Sequence, residues 1–240
     1  MAIERLLATP GWEVRTVAVT PRAAARLGPS LEVAGIAPTI ASRDELAAVV
    51  GFDLHRGALA SVARRPLPAV ADALAGRSLA VVVEGVNDHE NLGALFRNAA
   101  AFGAAVVLDP TCADPFYRRS VRVSLGHVLA VPTARGAPFP GGLAELHDAG
   151  FATVALTPSA DLELRHLAVD LADRPVALVV GAEGPGLTTA ALDACQHRAR
   201  IAMAPGVDSL NVATTVAVAA HALGAPHPQP GGEPAPPAPG

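Results

Sequence analysis

The sequence predicts an α/β protein in which a parallel sheet, covered by helices on both faces, follows a smaller α/β unit. Two observations predict it. From about residue 78 onward, short continuous apolar runs such as LAVVVE and VALVVG alternate with helical patterns, and such runs suit strands buried on both faces. A stretch rich in Arg and Pro, ArgArgProLeuPro at 64–68, separates this alternation from what precedes it.

In the first unit, residues 2–7 read as a short helix, and Glu13–Val19 alternates as a strand. Pro21–Leu27 is a helix with proline in its first turn, where a missing N–H costs nothing. Arg43–Val50 is another helix and Ala58–Ala63 a strand. In the second unit, strands are expected at Leu79–Glu84, Ala105–Leu108, Val128–Val131, Ala152–Leu156, Val176–Gly181 and Arg198–Ile201. Helices are expected at Asn91–Ala101, Gly142–Ala149, Thr188–Ala194 and Leu210–Ala222. Gly224–Gly240 holds seven Pro and four Gly, cannot bury a core, and reads as a disordered tail. The expected boundaries are a first domain at 1–66, a linker at 67–77, a second domain at 78–223 and the tail at 224–240.

Composition narrows the function classes. Aromatics are only 3% of the chain, so an aromatic platform for stacking bases is not expected. No run reaches about 18 apolar residues without a charge or a breaker, which argues against a membrane span. MAIERLLATPGW lacks the basic start and long apolar core of a secretory signal. Cys112 and Cys195 lack the spacing of a disulfide framework or metal site, and read as buried, inert thiols of a cytoplasmic protein. The histidines show no paired ligand spacing, so no metal is expected. The net charge of −4 argues mildly against nucleic acid, but residues 1–69 carry eight Arg against six acids. Every fixed cation is Arg, the side chain that grips phosphate bidentately.

Three segments carry the chemistry. ENLGALFRNAAAFG at Glu90–Gly103 reads as a turn running into a helix, with Asn91 and Gly93 in the turn and Arg97 further along; a salt bridge from Arg97 to Glu90 or Asp88 is the plain alternative. GAEGPG at 181–186 follows a strand and precedes a helix, and its glycines let backbone groups approach a ligand closely. Glu183 there would repel a phosphate but tolerate a neutral or cationic ligand, such as one bearing an amino acid and a sulfonium. The alternative is a turn with a capping acid. APGVDSLNV at 204–212 is a long turn into an apolar helix, which Ser209 or Asp208 can cap. Asn211, just inside that helix, calls for a specific partner. Arg118, Arg119 and Arg122 form a basic patch that is either a phosphate contact or a solvated helix face, and Arg56, in a HisArgGly triplet, has the same ambiguity. All three segments fall at the ends of predicted strands, where sheets of this kind bind ligands.

Together these segments resemble the signature of the SpoU (TrmH) family of RNA 2′-O-ribose methyltransferases, in the SPOUT superfamily. Asn91, Gly93 and Arg97 match its first motif, Gly181, Glu183 and Gly186 its second, and Ile201, Met203, Gly206, Ser209, Leu210 and Asn211 its third. The similarity covers roughly 78–222, and residues 1–66 resemble the small ribosomal-protein-L30-like domain that precedes it in many members. The resemblance implies a deep trefoil knot, a homodimer with its active site near the interface, and S-adenosylmethionine as cofactor. It implies that backbone groups near Gly181, Ile201 and Leu210 hold that cofactor, with Thr157 and Met203 nearby. The implied reaction methylates a ribose 2′-hydroxyl of RNA, ribosomal RNA being favoured over transfer RNA. Arg97 takes the central place. A guanidinium is not a base in proteins, so its expected role is to bind the ribose or adjacent phosphate and stabilise the alkoxide. Asn91, Glu183, Ser209 and Asn211 are expected to orient the reacting groups. Arg56, Arg118, Arg119 and Arg122 are expected to touch RNA.

Two departures stand out. Position 202 is Ala where the family usually has Pro. The chain also begins almost inside its first helix, which implies either a shortened first domain or a misplaced start. The competing readings are a transfer-RNA or base-nitrogen target, and a non-catalytic RNA-binding protein that kept the knot.

Overall fold

The computed structural model describes residues 2–52, 54 and 56–223; the tail expected at 224–240 and His55 of the HisArgGly triplet lie outside the described residues. The first unit runs α1 (Ala2–Ala8), β1 (Val14–Val19), α2 (Pro21–Val33), β2 (Thr39–Ile40), α3 (Arg43–Val50) and β3 (Ala58–Val62). Its sheet has the order β2-β1-β3, with β1 parallel to β2 and antiparallel to β3. Helix α2 outruns the predicted Leu27 because Ala23, Leu27 and Leu31 recur every four residues on its buried face, while Pro29 points to solvent. Helix α3 starts on a capping box, in which Ser42 and Glu45 satisfy each other's backbone N–H groups. It ends at Gly51, whose φ of 77° suits a residue without Cβ.

The second unit runs α4 (Val70–Leu74), β4 (Leu79–Glu84), α5 (His89–Ala101), β5 (Ala105–Leu108), α6 (Arg118–Val123), β6 (Thr133–Arg135), α7 (Gly141–Asp148), β7 (Ala152–Leu156), α8 (Leu164–Asp170), β8 (Val176–Gly181), α9 (Thr189–Ala194), β9 (His197–Ala199) and α10 (Val212–Leu223). Six strands in the order β6-β5-β4-β8-β7-β9 pair in parallel throughout. Strands β4 and β8 lie at the centre, which is why both read as unbroken apolar runs. Alternate residues face opposite layers. Val81, Val83 and Leu178 pack with Leu92, Leu95 and Phe96 of α5 and Val216 of α10. Ala80, Val82 and Val179 pack with Val70 and Leu74 of α4 and Leu143 of α7. Among the described residues, no helix is long and apolar enough to cross a membrane.

Several elements differ from the sequence expectation. The strand expected at Val128–Val131 is a 3-10 turn, His127–Leu129, and the edge strand begins later, at Thr133. Leu125 and Gly126 take φ of 54° and 81° and turn the chain just before this run, and Val128, Leu129 and Val131 then bury their side chains in the core without pairing. Helix α5 starts at His89, two residues early, because Asp88 accepts from Glu90 N and Asn91 N at 2.8 Å each. Asn91 and Gly93 therefore sit inside the helix and not in a turn. Helix α4 falls within the stretch expected as linker and buries Val70, Ala73 and Leu74. Helix α6 matches the solvated helix face that was the plain alternative for the Arg118–Arg122 patch, whereas α8 was not foreseen; it buries only Leu164 and Leu167, too few to register as a period.

The two units meet around Trp12. Its indole N–H donates to Leu129 O at 2.9 Å, its ring meets Phe116 edge-on at 5.2 Å, and Arg65 lies 4.2 Å over it. Arg64 pairs with Asp114 across the same junction.

Gly93 lets α5 and α6 touch. A Cβ there would lie 2.8 Å from Ser120 O and from Val123 Cβ. Gly93→Ala would gain about 1 kcal/mol of helix propensity, while overpacking against backbone costs up to about 3 kcal/mol. The expected result is a lower urea midpoint; a raised one contradicts the close approach.

Candidate functional site

The carboxyl ends of β4, β8, β7 and β9 lie along one edge of the sheet, and three loops gather there. The first leads from Glu84 into α5, the second spans 181–188, and the third spans 201–211. Gly181 is where the second loop folds back on itself. A Cβ at Gly181 would overlap the Gly186 carbonyl and the Leu187 nitrogen. The return is closed by Gly186 N donating to Ala182 O at 2.9 Å. The φ values of 86° at Gly184 and 70° at Gly186 complete the turn.

This return places Glu183 against the start of α5. Its Oε2 accepts from Asn91 Nδ2 at 2.8 Å, and its Oε1 accepts from Asn211 Nδ2 at 2.7 Å. Asn211 Nδ2 also donates to Asn91 Oδ1 at 2.8 Å. On its other side, Asn211 Oδ1 accepts from Ala213 N at 3.0 Å and Thr214 N at 3.2 Å. A carboxylate only accepts and a backbone N–H only donates, so both amide orientations are fixed. One residue from each motif thus enters a closed network that spans 120 positions of sequence.

The plain alternatives fall away at the same time. Asn211 itself caps α10, which begins at Val212 and not at Leu210, so neither Ser209 nor Asp208 is its cap. Thr188, not Glu183, caps α9, accepting from Ala191 N at 3.1 Å. The anticipated partners of Arg97 are engaged elsewhere: Glu90 holds Arg119 at 2.6 Å, and Asp88 caps α5. Arg97 is exposed and makes no hydrogen bond or ion pair among the described residues. Six positions along α5 put it about 120° around the helix from Asn91. Within one chain it therefore does not join the Asn91–Glu183–Asn211 network.

Thr157, Ile201, Met203, Ser209 and Leu210 follow strands β7 and β9 at the same edge. Thr157 follows β7, its N–H donating to Ala199 O at 3.0 Å and its hydroxyl sharing a 3.0 Å bond with Ser159. Ile201, Met203 and Leu210 are half-buried in the third loop, and Ser209 is exposed. From Ile201 to Leu210 the backbone makes one internal hydrogen bond, Val207 N to Ala204 O at 3.2 Å, which leaves most N–H and C=O groups available. Arg118, Arg119 and Arg122 lie exposed on α6, beside α5, and Arg56 is exposed just before β3. Arg118 sits 4.4 Å over the Phe52 ring, which links this patch to the first unit.

Two acids missed from sequence hold the loops in place. Glu84, 8% exposed, accepts from Thr188 N at 2.9 Å and Thr188 Oγ1 at 2.8 Å, tying the second loop to β4. Asp109, 5% exposed, accepts from Gly85 N at 3.1 Å and from the Thr111 hydroxyl at 2.7 Å. The available signal was an acid ending each buried apolar run, where a lone charge needs a partner. The thiols take no part: burial pushes Cys112 up to about 12 and Cys195 up to about 11. Among the described residues, no group of three His, Cys, Asp or Glu is placed to hold a metal.

Residues 78–221 match the SpoU rRNA Methylase family. The chain belongs to that family. The family match spans all three loops and the whole six-stranded sheet. An uncharacterized tRNA/rRNA methyltransferase of Mycobacterium tuberculosis is 50% identical over 202 residues, covering 83% of this chain and 70% of that protein. The 23S rRNA (guanosine-2′-O-)-methyltransferase RlmB of Ralstonia nicotianae is 31% identical over 192 residues, covering 78% of this chain and 76% of that one. An AdoMet-bound rRNA methyltransferase from Sinorhizobium meliloti, 24% identical, shares the fold with a TM-score of 0.78 over 93% of this chain and 84% of that one.

Glu84→Ala removes two charge-assisted acceptors from Thr188. The expected cost is about 2–3 kcal/mol, read by urea unfolding. A loss under about 0.5 kcal/mol would mean that the second loop holds without this anchor.

Proposed function

We propose that this protein transfers a methyl group from S-adenosylmethionine, the cofactor its family uses, to a ribose 2′-hydroxyl of RNA in the cytoplasm. The observation that carries the reading is the Asn91–Glu183–Asn211 network at the carboxyl edge, with an unpartnered Arg97 on the same helix as Asn91. Ribosomal RNA is the favoured substrate, in keeping with the name of the RlmB relative. The finer architecture follows the family: a trefoil knot in the C-terminal part of the domain at 78–223, a linker at 67–77, and an L30-like RNA-binding domain at 1–66.

The residues present suit the cofactor. Gly184, Gly186 and Gly206 leave open space where a Cβ would stand. The backbone of the third loop has donors and acceptors to spare. The Glu183 carboxylate favours a ligand carrying positive charge over a phosphate. Backbone groups at Gly181, Ile201 and Leu210 hold it, flanked by Thr157 and Met203. When bound, it supplies an electrophilic methyl group.

This chain's own residues supply alignment and charge. Asn91, Glu183 and Asn211 fix the edge against which the ribose lies, and the Ser209 hydroxyl orients the nucleophile. Arg97 binds the ribose or its phosphate and stabilises the alkoxide that develops as the proton leaves to water or a substrate phosphate. Arg56, Arg118, Arg119 and Arg122 contact the RNA backbone. The exposed Arg119–Glu90 pair is worth little, so RNA can displace it. Because Arg97 stands about 120° away from Asn91 around α5, the working site assembles in a homodimer, with Arg97 from one subunit facing the network of the other.

Two experiments test this. Bulk RNA from a strain lacking the protein, incubated with labelled cofactor and digested to nucleosides, is expected to yield a new 2′-O-methylated nucleoside. Arg97→Ala is expected to reduce its formation by about 100-fold or more while leaving cofactor binding intact. A methylated base nitrogen, or no transfer to any RNA fraction, would overturn the reading. Mixed dimers test the assembly: Arg97→Ala and Glu183→Ala subunits, each inactive alone, are expected to recover about a quarter of wild-type activity when mixed. No recovery, with heterodimers demonstrated, would place the whole site within one chain.

A further inference from the structure

The chain has six Phe, one Trp and one Tyr. Of these, only Phe52 at 41% and Tyr117 at 44% stand exposed. Arg118 links the two: it follows Tyr117 in the chain, and its guanidinium sits 4.4 Å over the Phe52 ring. Phe116 turns inward and meets Trp12 at 5.2 Å, whereas Tyr117, the next residue, turns outward. The His89 ring backs Tyr117 at 4.3 Å, tilted by 45°. Ser120 Oγ donates to His89 O at 3.2 Å, which holds the start of α6 against the start of α5. The Tyr117 ring is thus propped on one side and open on the other.

Local stability does not account for a tyrosine here. Tyr117 occupies the N-cap position of α6 and makes no side-chain cap. Ser, Thr, Asp or Asn at that position would cap the helix. The surroundings of the ring suit RNA instead. Arg118, Arg119 and Arg122 make α6 basic, and the acids nearby are already engaged. Glu90 bonds Arg119 at 2.6 Å, Asp88 accepts from the first N–H groups of α5, and Asp114 pairs with Arg64. Glu90 and Arg97 are seven positions apart on α5, so they share a face within about 20° and lie about 10 Å apart along it. Tyr117 therefore stands at one end of an arginine-lined strip whose other end is Arg97. The scarcity of aromatics argued against a platform of several rings, but one base needs only one ring. Unpaired bases stack on exposed aromatic faces beside cationic groups.

We propose that Tyr117, backed by His89, stacks one unpaired base of the RNA strand whose ribose reaches Arg97 of the same subunit. This deepens the methyltransferase reading, on which the link to the target ribose rests; the stacking site itself does not need it.

The test uses the full chain, with Tyr117→Asn and Tyr117→Phe. The probes are a labelled single-stranded oligoadenylate and an abasic ribose-phosphate strand of equal length. Wild type is expected to bind oligoadenylate about tenfold more tightly than the abasic strand. Tyr117→Asn is expected to lose that preference and keep the salt slope, since it removes no phosphate contact. Its urea midpoint is expected to equal or exceed that of wild type, because asparagine can cap α6. Tyr117→Phe keeps the ring and is expected to keep the preference. On ribosomal RNA, Tyr117→Asn is expected to raise KM about tenfold with little change in kcat, the pattern of lost uniform binding. An undiminished preference in Tyr117→Asn would overturn the proposal. So would its loss in Tyr117→Phe, which would assign it to the hydroxyl, or a lower urea midpoint in Tyr117→Asn, which would make the ring a packing residue. If no RNA accepts a methyl group while the Tyr117-dependent preference persists, the base site stands and the methyltransferase reading falls. Methyl transfer without any such preference keeps the enzyme and removes the site.

Discussion

The Glu183 carboxylate has two acceptor oxygens and no donor, and both are filled by side-chain amides from distant parts of the chain. That one-way chemistry constrains the rest of the carboxyl edge. Asn91 must present its Nδ2, which turns its Oδ1 toward Asn211. Asn211 must present its Nδ2 as well, which leaves its Oδ1 for the first N–H groups of α10. The start of one helix, the tip of a glycine loop and the cap of another helix are thus locked in a single orientation. Charge-assisted bonds of this kind are stronger than neutral ones, and removing one member leaves others unsatisfied.

The fold's task is to bring those three pieces together. Parallel pairing of β4 with β8 sets Glu84 beside Gly181, so the first and second loops leave the sheet side by side. Glu84 then ties the second loop down through Thr188, 104 residues away. On the helical layer, Asn98 of α5 donates to Ala213 O of α10 at 2.6 Å, holding Asn91 and Asn211 in register from behind. Arg97 lies about 120° around α5 from Asn91, away from the network. Its position is what motivates the proposed two-chain site.

Much of this was legible from sequence, and what was not has physical reasons. The central strands and their order of appearance were readable because burial on both faces forces continuous apolar runs such as AVVV and VALVV. Helix α3 was readable to the residue because its capping box and terminal glycine are local signals. The edge strand β6 was not: it is three residues long, and the apolar run before it is buried without pairing. At the site, the motif resemblance picked out Asn91, Glu183 and Asn211; taken singly, Asn91 read as a turn residue and Glu183 as a capping acid, while Asn211 called for a partner that the sequence did not name. Their partnership is long-range and has no local trace. Glu84 and Asp109 passed unnoticed for the same reason, since an acid at a strand end shows its partner only once the loops are placed.

The central claim is that Asn91 and Asn211 act as one unit through Glu183. A double-mutant cycle on kcat/KM with Asn91→Ala, Asn211→Ala and the pair measures it most directly. Each single substitution breaks the network, so the double is predicted to lose little beyond the worse single, with a coupling energy above about 1 kcal/mol. Losses that simply add would mean that the two amides act independently, and that the network is not what organises the site.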